Sequence, residues 1–259
     1  MGILNITPDS FFDGGKYNTE QKAIKHVNKM IEQGADIIDI GASSSRPFSE
    51  KISFKEEKRR LKPILDEIVK NFPETILSVD TYRSETAKMA IDSGATIIND
   101  IFGGSYDKKM INYIAKNNIP YILMHMKGSP SNMQKKTYYK DFKNDILVFF
   151  KNAKEKLESL GHNNLIIDPG FGFGKSINHN FKLINLIPKL KDIHENLLIG
   201  ISRKSMIYKT IKSEPSNCLN GTTVLNTICI LKGANFIRVH DVKECEEARK
   251  LINLVKKNS

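Results

Sequence analysis

Residues able to do acid–base, anion-binding and hydrogen-bonding chemistry stand at the ends of short apolar runs: Asn5, Asp39, Asp80, Asn99, His125, Asp168, Ser202 with Arg203 and Lys204, and Arg238 with His240. Taken singly, Asp39 or Asp80 reads as a polar residue that satisfies local backbone donors. Their recurrence at every run end argues for one shared site. The run from Asp168 to Ser176, DPGFGFGKS, resembles a phosphate loop, but Pro169 occupies the place of that motif's first glycine, so the motif is not met. Its flanking Asp168 and Lys175 still favour a working turn over loop geometry alone. His125 lies between Met124 and Met126 with no second His or Cys at ligand spacing, which predicts a packed or hydrogen-bonded ring and no catalytic role.

The elements that must position these residues show a weak internal repeat, in which an amphipathic stretch ends at Gly-Ala, enters an apolar run and stops at a polar residue. Its copies are Gly34 to Asp39, Gly94 to Asn99 and Gly233 to Arg238. Glycine suits the left-handed residue that closes a helix, and the run after it suits a strand buried on both faces. Further apolar runs at Ile3 to Ile6, Ile76 to Val79, Tyr121 to Met124, Leu165 to Ile167 and Leu198 to Ile201 bring the strands to eight. Between strands lie helical stripes such as Ala23, Val27, Met30 and Ile31, or Ile146, Phe150, Ala153, Leu157 and Leu160. Pro63 predicts a kink or a fresh helix start. Eight βα units predict an α/β fold, a (β/α)₈ TIM barrel forming a single domain over residues 1–259, with its active groups where strands end. The alternative, a doubly wound open sheet, would show a glycine-rich nucleotide turn after its first strand, and there is none.

Composition bounds the rest. The chain has 259 residues, 40% hydrophobic and 27% charged, enough for one large core. No apolar stretch approaches the roughly 20 residues of a membrane span, and no secretion signal opens the sequence, so a soluble, cytoplasmic protein is expected. Cys218, Cys229 and Cys245 match no metal or redox spacing and read as reduced thiols. The net charge of +11 comes mostly from lysines dispersed over helix faces, which predicts no specific nucleic-acid partner but a field that attracts anionic small substrates.

Whole segments in order, MGILNITPDSFFDGG, SVDTYR, IIND, DPGFGFGK, ISRKS and IRVHDV, resemble the dihydropteroate synthase family of pterin-binding TIM barrels across essentially the entire chain. That resemblance implies condensation of dihydropterin pyrophosphate with p-aminobenzoate in folate biosynthesis. It implies that Asp80, Asn99, Asp168 and Lys204 line a pterin pocket, with Met124 among the substrate-binding residues. Arg238 would stack on the ring and, with His240 and Asn5, face the pyrophosphate, while Ser45 and Arg46 make further phosphate contacts. Asn5 would also touch Mg²⁺. Phe173, Lys204 and Ser205, completed by Phe11 and Pro47 from two loops, would form the p-aminobenzoate site.

The chemistry so implied breaks the pterin methylene C–O bond while Mg²⁺, Arg238, Arg46 and a helix N-terminus stabilise the departing pyrophosphate. The catalytic set is then Asp9, Lys204, Arg238 and His240, with Asp9 steadying the developing pterin cation. The family pattern also implies a homodimer. Departures stand at Phe12, Ser43, Ser45 and Phe48, where Ser, Glu, Thr and Gly are frequent, and put the second loop in question. Members usually carry a short leader before the first strand, so a frayed first strand or an upstream start is a further expectation. Two rivals are a pterin-binding methyltransferase domain acting on methyltetrahydrofolate, which needs no pyrophosphate site, and a non-catalytic basic barrel that binds RNA.

Overall fold

Runs of isoleucine, leucine and valine, stiff at χ1 and apolar on both faces, form the strands of the computed structural model. It describes residues 1–6, 16–43 and 52–258, with the backbone alone for residues 16–19. The strands are β1 (Gly2–Asn5), β2 (Ile37–Gly41), β3 (Ile76–Asp80), β4 (Ile97–Asp100), β5 (Tyr121–Met124), β6 (Leu165–Asp168), β7 (Leu198–Ile199) and β8 (Phe236–Ile237). Strands β1 to β6 pair in sequence, all parallel, and β7 pairs with β8. Bridges from Ile167 to Leu197 and from Gly2 to Val239 join the two sheets at both edges and close the barrel. The first strand is therefore not frayed: it pairs with β2 on one side, and Ile3 donates to the Val239 carbonyl at 3.0 Å on the other.

Helices α1 (Lys16–Glu32), α2 (Phe54–Asn71), α3 (Ser84–Asp92), α4 (Met110–Lys116), α5 (Phe142–Ser159), α6 (Ile177–Ile193) and α8 (Leu219–Leu231) return the chain between strands, a short α7 (Ser205–Tyr208) is inserted after β7, and α9 (Val242–Lys257) follows β8. The repeat is a helix-closing device. At Gly34, Gly94 and Gly233 φ is +93°, +98° and +111°. The following alanine amide reaches back to Met30, Ala90 or Cys229, capturing a carbonyl the helix end leaves free. The same pattern closes α5 through Gly161 and His162, and α4 through Asn118 and Ile119, copies hidden from the sequence by their different residues.

No fresh helix starts at Pro63. Helix α2 runs unbroken through it, because Ser53 caps its start and Leu61, Ile64, Leu65 and Ile68 bury one stripe against the barrel. That burial outweighs the one hydrogen bond the proline removes. Leu160, assigned to the α5 stripe, is instead the exposed C-cap of that helix. Among the described residues no helix is long and apolar enough to cross a membrane.

Strand periodicity sets the site's height. An apolar layer of Ile37, Ile97, Ile122, Ile166 and Leu198, with Phe236 and Met1 against it, plugs one level of the barrel. Two residues further along the same strands come Asp39, Asn99, Met124, Asp168, Gly200 and Arg238. Side chains repeat on one face every second residue, so the polar set stands about 6.6 Å above an apolar floor.

Candidate active site

The centre is an ion network carried by β2, β3, β4 and β8. The Asp39 carboxylate, fully buried, accepts from Ser78 Oγ at 2.6 Å, Asn99 Nδ2 at 3.1 Å and Arg238 Nε at 2.6 Å. The other end of the Arg238 guanidinium lies 3.7 Å from Asp80. Ladder register sets Asp80 directly beside Gly41. Asn99 keeps one buried oxygen, Oδ1, with no protein partner. An unpaired buried acceptor is costly unless a ligand N–H meets it.

Across the barrel, Asp168 ends β6 and its Oδ1 accepts from the Gly170 amide at 2.8 Å. Lys204 enters from the turn after β7, donating to the Phe171 carbonyl at 2.6 Å with its ammonium 4.7 Å from the Phe173 ring centroid. Phe173 belongs to an apolar wall with Tyr82, Ile101, Met124 and Met133. Arg203 turns the chain at φ +56°, its guanidinium fixed on Asp241 at 2.5 and 3.0 Å, and this delivers Ser202 and Lys204 to the rim. Ser202 Oγ lies 3.0 Å from His240 Nδ1 and accepts from the His240 amide at 3.2 Å.

Burial shifts these groups against one another. Desolvation, then the nearby Asp39 charge, pushes Asp80 up to about 8 despite Arg238. Burial raises Asp168, opposed chiefly by Lys204. Lys204 falls to about 8 by burial, opposed by Asp168. Burial, then Arg238, lowers His240 to about 4, so its ring is neutral at pH 7. A pocket of strained charges in one place is the electrostatic mark of a binding site for a polar ligand.

Asp80, Asn99, Asp168, Lys204 and Arg238 thus meet at one rim, with Met124, Phe173, Ser202 and His240 around them; Ser205 begins α7 directly after Lys204, and Asn5 is exposed at the end of β1. Asp9, Phe11, Ser45, Arg46 and Pro47 lie outside the described residues. Asp39, one of the strand-end series but given no role in the implied pterin pocket, is the hub. Its signal was phase, since it stands two residues past Ile37 as Asn99 does past Ile97. Lys175, the flank of the glycine-rich turn, points inward and bonds His125, whose ring is packed and hydrogen-bonded as expected.

A closed parallel barrel with a polar, charge-strained rim over an apolar floor defines an enzyme of the TIM-barrel class. The chain matches the family model described as pterin binding enzyme over residues 1–240. It is 42% identical to the dihydropteroate synthase of Clostridium beijerinckii, the match covering 98% of this chain and 93% of that protein. Among solved structures it superposes on Yersinia pestis dihydropteroate synthase in a sulfonamide drug complex with TM-score 0.92 and 39% identity, covering 99% and 94% of the two chains. Xanthomonas albilineans dihydropteroate synthase with 4-aminobenzoic acid also gives TM-score 0.92, at 34% identity over 99% and 92%. The chain belongs to the pterin-binding enzymes and, within them, to the dihydropteroate synthase family.

Proposed function

We propose that this rim joins the methylene carbon of a dihydropterin diphosphate to the amino nitrogen of p-aminobenzoate, giving dihydropteroate and diphosphate. The observation that carries the reading is the meeting of two carboxylates, an amide with an unpaired buried oxygen, and two cations at one rim of the barrel. Asp80 and Asp168 accept from the ring's amino and N–H groups, Asn99 Oδ1 takes another N–H, and Lys204 donates to ring acceptors. Such donors also relieve the desolvated carboxylates, so recognition and charge balance coincide. Arg238, held edge-on by Asp39, offers its face to the ring and its charge to the diphosphate.

The methylene C–O bond breaks with its electron pair leaving on the diphosphate, and the neutral aromatic amine supplies the pair for the new C–N bond before losing a proton to solvent. Placement matters more than a base, and no covalent enzyme intermediate forms. Ser202 accepts from the His240 amide and pairs with Nδ1, which fixes the neutral ring and leaves Nε2 for a phosphate oxygen. Among the described residues no group of three acidic, His or Cys side chains could hold a metal, whereas Asn5 presents one hard oxygen ligand at the rim. This fits Mg²⁺ arriving with the diphosphate, since that ion keeps its waters and takes few protein ligands. When bound, it neutralises leaving-group charge. Asp9, Arg46 and Ser45 would add to that task, and Phe11 and Pro47 would close over p-aminobenzoate.

The proposed setting is cytoplasmic, without specific nucleic acid. A homodimer is the proposed assembly, supported by exposed Val224 and Leu231 on α8 and Leu251 and Leu254 on α9, and sedimentation of the purified chain checks it. The test of the reaction is to mix the protein with dihydropterin diphosphate and Mg²⁺. Diphosphate release and pteroate formation should both require p-aminobenzoate; release without it, or methyl transfer from methyltetrahydrofolate instead, would overturn the reading.

A further inference from the structure

The loop from Gly170 to Gly174 has three left-handed glycines, Gly170, Gly172 and Gly174, and no ladder of its own. Glycine loses more freedom on ordering than any other residue, so something must hold this segment. Side chains do. All five consecutive carbonyls are taken: Gly170 and Phe173 by Lys175 Nζ at 3.0 Å each, Phe171 by Lys204 at 2.6 Å, Gly172 by Gln134 at 3.2 Å and Gly174 by the Tyr139 hydroxyl at 3.0 Å. Lys175 is 3% exposed, and its ammonium also reaches His125 Nδ1 at 2.9 Å and the His125 carbonyl at 3.2 Å. Among the described residues no carboxylate is hydrogen-bonded to it; main-chain dipoles, one imidazole and the nearby charge of Asp168 carry its own.

We infer that Lys175 is a positioning residue of the reaction: its ammonium fastens this loop to the end of β5 and so sets where Phe173 and the Phe171 carbonyl stand against Lys204. The inference rests on the proposed function, in which Phe173, Lys204 and Ser205 receive p-aminobenzoate. The pterin contacts Asp80 and Asn99 sit on strands paired at both edges and do not depend on the clasp. Burial draws Lys175 down to about 7, against its charged form, while the Asp168 charge favours the ammonium; burial also holds His125 neutral, which leaves a ring nitrogen able to accept from Lys175. Asp168 and Lys204 touch both the loop and the proposed pterin pocket, so loss of the clasp is felt more strongly by p-aminobenzoate than by the pterin.

The test is steady-state kinetics of Lys175→Met with each substrate varied, beside hydrogen exchange of amides 170–176. The KM for p-aminobenzoate should rise at least tenfold while that for dihydropterin diphosphate stays within threefold. The loop amides should exchange faster. Small alkylammonium ions added to Lys175→Ala should lower the p-aminobenzoate KM again. Equal rises for both substrates, or no change in either KM or exchange, would overturn the inference. If Lys175→Met does not fold, His125→Leu, which leaves the carbonyl bonds in place, must show the same split at smaller size, and an even effect there is equally fatal. Wild-type protein that makes no pteroate would instead sink the proposed reaction, while the exchange result would still decide the clasp.

Discussion

The two halves of the site place charge by different means. Asp39, Asp80, Asn99 and Arg238 ride on or directly after barrel strands, where the ladder fixes each backbone before any side chain acts. Opposite them, Asp168 opens a glycine-rich loop whose every carbonyl from Gly170 to Gly174 needs a side chain to hold it. A strand position can be stripped of its chemistry with its geometry intact. A loop position held by side chains loses both together.

The sharpest way to break the comparison is Arg238→Ala, which leaves buried Asp39 and Asp80 without their shared cation. Removing one preorganised donor to developing anionic charge costs about 2.7–4 kcal/mol of transition-state stabilisation, so diphosphate release should fall on the order of a hundred- to a thousandfold. A loss under tenfold would show that this cation does not serve the leaving group. Next comes Asp39→Asn, which keeps hydrogen-bonding atoms but frees the guanidinium; we expect kcat/KM to drop on the order of a hundredfold, with far-ultraviolet dichroism unchanged.

Asp80→Asn should separate function from stability. An unfolded Asp80 releases its proton near 3.8 and the folded one near 8, so its contribution to stability is full below pH 4 and declines as pH rises to 8. The Asn variant loses that decline. Its Tm should fall less between pH 5 and pH 8 than that of the wild type, and pterin binding by calorimetry should disappear; a parallel pH dependence would refute the shifted carboxyl. Smallest in chemistry is Gly170→Ala, where φ is +69° and a Cβ would stand 2.0 Å from the His125 carbonyl. Strain of about 1–3 kcal/mol should lower Tm by roughly 2–10 °C, and unaltered melting would mean the loop can shift freely.

Much of this was legible beforehand for physical reasons. Eight apolar runs each closing on a polar residue, and glycines ending helices at Gly34, Gly94 and Gly233, encode the barrel locally. Asp80, Asn99, Asp168, Lys204 and Arg238 were readable because strand ends and family segments mark them. Asp39 stood in the same strand-end series, but its role as hub was not readable, since the partners that make it one stand 39, 60 and 199 residues away. Lys175 was readable only as the flank of a working turn; that it points inward to His125 is visible in the packing alone.

By itself, then, the order of residues determined the element types, their alternation and the identity of the reactive groups, because periodicity, caps and strand ends are properties of near neighbours. Tertiary structure alone decided which carboxylate holds the arginine, which carboxyl is driven toward its neutral form and which lysine serves the loop. Those outcomes depend on burial and on distances between chain-distant groups, and a linear pattern carries neither.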